Sequence, residues 1–82
     1  MSNNTIPSYK HLLGLYKHYK GNTYELIGIA KDSETLELKV VYKALYGTNE
    51  LWVRNMDMFF ETINIEGETI QRFKKIEYDT SN

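Results

Sequence analysis

The residues from Leu36 to Tyr46, LELKVVYKALY, place Leu36, Leu38, Val40, Tyr42, Ala44 and Tyr46 at every second position. Glu37, Lys39, Val41, Lys43 and Leu45 fall between them. Side chains two apart share one face of a strand, whereas a helix would scatter these positions around its axis. A period of two held this long predicts a strand with one apolar face. Such a face has to be covered, so the rest of the chain must supply a second apolar surface.

Shorter segments repeat the period. Leu15–Lys20 and Thr23–Lys31 read as strands joined by the turn KGN, and Leu51–Arg54 as a fourth after GTNE. Glu61–Ile65 and Thr69–Ile76 read as a last hairpin turning at Gly67. The short polar side chains of DSET, Asp32–Thr35, bond readily to nearby backbone and predict the turn before the long strand. Two stretches suit single helical turns: SYKHLLGLY with Ser8 as cap and Gly14 as stop, and NMDMFF with Asn55 as cap. The fold class is therefore all-β, with at most short helical turns. Five or six short strands with tight turns predict a small SH3-like barrel ahead of an OB-like one, because closure hides strand edges. Its core is expected to include Leu26, Ala30, Leu38, Val40, Tyr42, Leu51 and Val53. Gly28, on the apolar face of the second strand, permits a bend or a close backbone approach.

With 82 residues the chain is expected to form a single domain, 1–82, ordered from about residue 9 to 77, with loose tails at 1–8 and 78–82. Cysteine is absent, so neither disulfides nor thiolate metal sites can staple the fold. Apolar packing must do so, and 1 Trp, 7 Tyr and 3 Phe carry much of the area. The net charge of −1 argues against a general nucleic-acid binder. Its distribution is uneven: Lys10, Lys17 and Lys20 face no acid within residues 1–24, and all eleven acids lie beyond. No apolar run approaches the ~20 residues that span a bilayer, and MSNNTIPSYK lacks the apolar stretch of a signal peptide. A cytoplasmic protein without a membrane contact is the expectation.

Several stretches taken together, YKHYKGNTYELIGIAKDSET, LELKVVYKALYG, LWVR, MFFE and QRF, resemble a small bacterial family catalogued as domain of unknown function 1653. The resemblance runs from about Gly14 to Ile76 and implies an SH3-like fold with no established activity. Matching positions include Tyr16, His18, Tyr19, Lys20, Gly21, Ser33, Glu34, Thr35, Trp52, Val53, Arg54, Arg72 and Phe73. Asp32 stands where the family commonly has a histidine, which weakens any scheme using two histidines. Asn55 stands where it commonly has a proline.

His11 and His18 are the only histidines, and nothing in their spacing marks a converging ligand set, so no metal or other cofactor is expected. Ser33 lacks the glycines of a nucleophile elbow, and KGNTYE lacks the second glycine and Lys-Ser/Thr of a phosphate loop. The aromatics are more informative. Tyr16, His18 and Lys20 share one face, and Trp52 and Arg54 share another. If those faces meet, they form an aromatic floor with a cationic rim. Tyr16, His18, Lys20, Trp52, Arg54 and Arg72 are therefore the candidate ligand-binding residues. They suit a binding module that takes a protein segment or, weakly given the charge, a single-stranded nucleic acid.

Each candidate also has a purely structural reading. Trp52 would be a core residue, Arg54 would pair with Glu34 or Glu37, and Arg72 with Glu61 or Glu68. His18 and Lys20 would face outward at the hairpin edge while Tyr19 packs. The alternative function is a small enzyme or an anionic small-molecule binder with His18 as general base, oriented by Glu34 or Glu37. Neither the ligand nor the oligomeric state is legible. Far-ultraviolet circular dichroism should show strand, with helix a minor component.

Overall fold

In the computed structural model, which describes residues 7–76, the long alternation forms a strand from Leu38 to Ala44 (β3). Val40, Tyr42 and Ala44 point inward and are buried, as the period requires. The strand is shorter at both ends than the pattern suggests. Leu36 takes a positive φ of 66° to close the preceding turn, and its N–H donates to the Asp32 carbonyl at 2.8 Å. At the other end Gly47 and Asn49, both with positive φ, turn the chain back.

β3 lies inside a five-stranded antiparallel sheet. Its neighbours are β2 (Thr23–Lys31) and β4 (Leu51–Asn55), with β1 (Gly14–His18) beyond β2. The sequence has one more strand than the five or six expected, because its last segment divides. Residues Glu68–Gln71 (β6) pair with Thr62–Ile65 (β5) in a separate two-stranded sheet, while Phe73–Lys75 (β7) pairs with β1. Arg72 makes the corner: its N–H donates to the Glu61 carbonyl at 3.1 Å, and its own carbonyl accepts the Tyr19 N–H at 3.0 Å. The β5–β6 turn needs two positive φ values, met by Glu66 (52°) and Gly67 (87°), the geometry of a tight hairpin. The class is thus all-β. Among the described residues the two sheets do not close into a hydrogen-bonded barrel.

Helical structure is confined to a 3-10 turn, Pro7–Leu12, and one short helix, Met56–Phe59 (α1). Pro7 and Ser8 thus begin an ordered turn, and the remainder of both expected tails lies outside the described residues. Asn55 occupies the N-cap position of α1 but makes no capping bond. Its Oδ1 instead accepts a hydrogen bond from the Lys39 ammonium on the adjacent strand. The helix serves to place Phe59.

Phe59 sits at the centre of the core, fully buried with Tyr16, Leu26, Ile29, Val40, Tyr42 and Phe73 around it. It stacks on Phe73 at 4.2 Å between centroids and meets Tyr16 and Tyr42 edge-on, each at 5.2 Å. Leu38 packs against this cluster only partly buried.

Three expected core residues lie elsewhere. Ala30 is exposed because Ile27 is an extra residue between the pairs Leu26↔Tyr42 and Gly28↔Val41, and this bulge reverses the phase of β2. Ile29, opposite Val40, takes the inward place instead. Gly28 supplies the flexible, side-chain-free backbone at that point. Leu51 and Val53, 61% and 62% exposed, lie on the outer face of β4 because Trp52 and Arg54 oppose the buried Tyr42 and Val40. Directly opposed residues share a face.

Replacing Phe59 with alanine removes a ring at the centre of the aromatic cluster and should cost about 3–5 kcal/mol, a large part of the ~5–15 kcal/mol typical of a domain. Phe59→Leu, which keeps most of the volume, should lose clearly less. Urea unfolding of the two variants beside the parent chain measures the difference.

Candidate functional site

The inner face of the large sheet carries aromatic rings from core to rim. His18 opposes Phe73 across β1 and β7, Tyr16 opposes Tyr24, and Tyr42 opposes Trp52. His18 meets Phe73 edge-on at 4.8 Å, and Tyr24 touches Phe73, Tyr42 and Tyr46 at 5.5 Å each. The Tyr24 and Tyr46 hydroxyls are hydrogen-bonded at 2.7 Å. Burial first, and then that bond, push the Tyr24 hydroxyl up to about 12. It remains protonated at neutral pH, a fixed donor or acceptor rather than a base.

Arg54 reaches over this floor from the edge strand. Its guanidinium carbon lies 5.9 Å from the Phe73 centroid, and its Nε donates to the Tyr42 hydroxyl at 3.4 Å. No carboxylate pairs with it among the described residues; in particular it meets neither Glu34 nor Glu37. Glu37 is 3.7 Å from Lys39, in the turn that follows β2. The nine residues of β2 span roughly 25 Å at strand rise and separate that turn from the His18 end of the sheet. Arg72 is paired, its Nε and Nη2 both donating to Glu61 Oε2 at 2.8 and 2.5 Å.

His18 is half-buried on this inner face rather than facing outward, while Tyr19, tilted against it at 4.6 Å, is the more exposed ring. Its Nδ1 accepts the Lys20 N–H at 3.1 Å, so the neutral ring carries its proton on Nε2. Burial lowers its pKa first, and the charges of Arg72, Arg54 and Lys20 lower it further. Three cations from three separate segments therefore act on one imidazole. The carboxylates once expected to orient His18 as a base, Glu34 and Glu37, stay at the far turn.

The remaining candidates divide. Tyr16 is 2% exposed and gives its hydroxyl to the Leu12 carbonyl at 2.6 Å, so its ring belongs to the core, where it also borders a recess with Leu12, Phe60 and Phe73. Lys20 is exposed in the hairpin turn, 5.8 Å from the Tyr19 ring centroid. Trp52 is 48% exposed, not the core residue of its structural reading. It shares with Tyr46 a recess of about 310 Å³ that Ala44, Gly47, Thr48 and Glu50 complete. Tyr46 was missing from the candidate set, although its place two residues beyond Ala44, on the face of Tyr42, was a usable signal. A larger recess of about 670 Å³, lined among others by Lys17, His18, Lys74 and Lys75, includes neither Trp52 nor Arg54. Among the described residues no three His, Asp or Glu side chains are grouped to hold a metal ion, and no helix is long and apolar enough to cross a membrane.

The family model described as "Protein of unknown function (DUF1653)" matches residues 14–75. The chain belongs to the DUF1653 family. That match begins at the first residue of β1 and ends at the last of β7, so the DUF1653 unit takes in both sheets and all six candidate residues. A solved structure of a DUF1653 protein from Bordetella bronchiseptica is 32% identical, with a TM-score of 0.73 over 85% of this chain and 92% of that one. No curated protein matches the sequence.

Nuclear magnetic resonance titration should find the His18 pKa below the usual imidazole value of about 6.5. Arg72→Gln and Arg54→Gln should each move it back up, Arg72→Gln further. Because the folded state resists this proton, stability should fall as the pH drops from about 6.5 toward the folded pKa of His18 and level off below it. His18→Gln should flatten that part of the profile.

Proposed function

We propose that this DUF1653 domain is a binding module whose inner aromatic face takes an extended acidic protein segment. The reading rests above all on Arg54, a guanidinium without a carboxylate partner among the described residues, held against Phe73 and Tyr42 beside a half-exposed Trp52. An arginine so placed is oriented before a ligand arrives, and its planar fork matches a carboxylate. The recess between Trp52 and Tyr46 is near the lower end of ligand-pocket size and suits one apolar side chain of such a segment. His18, neutral at physiological pH with its Nε2 protonated, adds a hydrogen-bond donor to the same face. Lys20, exposed in the hairpin turn, contributes long-range attraction, whereas the Arg72 charge is offset by Glu61.

A nucleic-acid strand fits this face less well. Stacking successive bases needs a row of open rings, and Tyr42 and Phe73 are buried while Tyr24 is covered by its neighbours. General base catalysis would require a partner to orient His18, and its Nδ1 is occupied by a backbone N–H.

Trp52 is the single tryptophan and so reports on its own surroundings. Its fluorescence should change saturably with an acidic peptide containing leucine and phenylalanine, and not with a lysine-rich peptide of equal length. Arg54→Ala should weaken the complex roughly ten- to hundredfold, the size of one lost charged hydrogen-bond set. A response to oligothymidine that collapses steeply with salt would transfer the site to nucleic acid. Silence toward every probe would remove the proposal.

A further inference from the structure

β4 ends the large sheet, and its outer edge has no partner strand among the described residues. The ladder shows which groups that edge offers. Ala44 N–H donates to the Glu50 carbonyl, which in the β3–β4 register makes Tyr42–Trp52 and Val40–Arg54 the hydrogen-bonded pairs. The backbone groups of Leu51 and Val53 therefore point away from β3, toward the free edge, while the carbonyl of Asn55, the N-cap of α1, accepts the first bond of that helix. The opposite edge differs: β7 is three residues long and carries Lys74 and Lys75, the short, charged form that discourages strand addition. β4 has no lysine, no proline and no register shift, and Leu51, Trp52 and Val53 are all exposed.

We propose that β4 is a homodimer interface, in which two copies of this chain pair antiparallel about a two-fold axis through Val53. The strand LWVRN is complementary to itself in that register and in no other centred within it so well. Val53 opposes Val53 of the second copy as a hydrogen-bonded pair built from the outward backbone groups. Leu51 opposes Asn55, whose N–H can donate to the Leu51 carbonyl while its own carbonyl stays with α1. Trp52 then opposes Arg54 of the second copy, twice, in the non-hydrogen-bonded positions where side chains come closest. Both lie on the inner face, so each guanidinium meets an indole. The cationic and aromatic residues of the strand thus meet across the two-fold axis, and the two inner faces join into one ten-stranded sheet surface. This inference goes beyond peptide binding and does not depend on it.

Sedimentation equilibrium of the full chain across a concentration series should approach twice 9.7 kDa. Val53→Pro removes an N–H that β3 does not use, so it should give the single mass with the strand spectrum retained. The chain has no cysteine, which allows a test of register that does not rely on the proline. Val53→Cys should form a covalent dimer on mild oxidation, its two α-carbons being about 5.5 Å apart. Leu51→Cys should not, its copies lying roughly 14 Å apart. A single mass at every concentration, a Val53→Pro variant that stays dimeric, or equal cross-linking from Leu51→Cys would overturn the inference. A monomer that still binds the acidic peptide would overturn this inference alone and leave the binding module standing.

Discussion

The stack of Phe59 on Phe73, 4.2 Å apart and 7° from parallel, is the contact on which the rest of the fold depends. Phe73 belongs to β7, the last strand of the sheet, and Phe59 to the short helix that follows β4 at its other end. Their contact joins the two ends of a twisted five-stranded sheet across its inner face. Tyr16 and Tyr42 then meet Phe59 edge-on, so rings from β1, β3, β7 and α1 pack as one body. Each such pair contributes about 0.5–1.5 kcal/mol beyond the area it buries. For a chain with no disulfide, this is what takes the place of a covalent staple.

The same stack explains why binding chemistry sits where it does. The Phe73 ring is covered by Phe59, His18 meets it edge-on, and Arg54 lies over it. The core and the candidate site are thus continuous, and the cations at the rim stand on rings that cannot move away. Arg72 has two tasks in this arrangement. Its backbone turns the chain from the small sheet into the large one, its side chain is anchored to Glu61, and its charge still reaches His18.

Much of this was legible in the sequence, and the reasons for the exceptions are physical. The strands, the turns and the burial of Val40 and Tyr42 follow from period two and from turn-forming residues, which are local properties. The candidate set contained His18, Arg54 and Arg72, whose charges do act together, and Trp52, which is exposed beside them. Tyr16 was included because it shares a face with His18, yet a face of a strand does not say which part of it another element covers. Leu12 and Phe60 cover Tyr16, and nothing near it in the chain announces that Phe60 would do so. Tyr46, read from the sequence as the last residue of the long strand, lies just past its end, and only the returning chain brings Trp52 alongside it.

By itself, then, the sequence determined that this chain is all-β, where its turns fall, and that aromatic packing rather than disulfides or thiolate metal sites holds it. Alternation and turn propensity act over a few residues and are written in order along the chain. The tertiary structure decided what depends on phase and on distant partners. A single bulge at Ile27 exchanged Ala30 for Ile29 in the core, because one inserted residue reverses every side chain after it. The outward turn of Leu51 and Val53 came from their pairing with β3, since a two-faced apolar strand has no preferred side until a neighbour's buried face sets one. The meeting of Arg54, Arg72 and His18 around Phe73 required three elements far apart in sequence to converge on one ring, which no local pattern records.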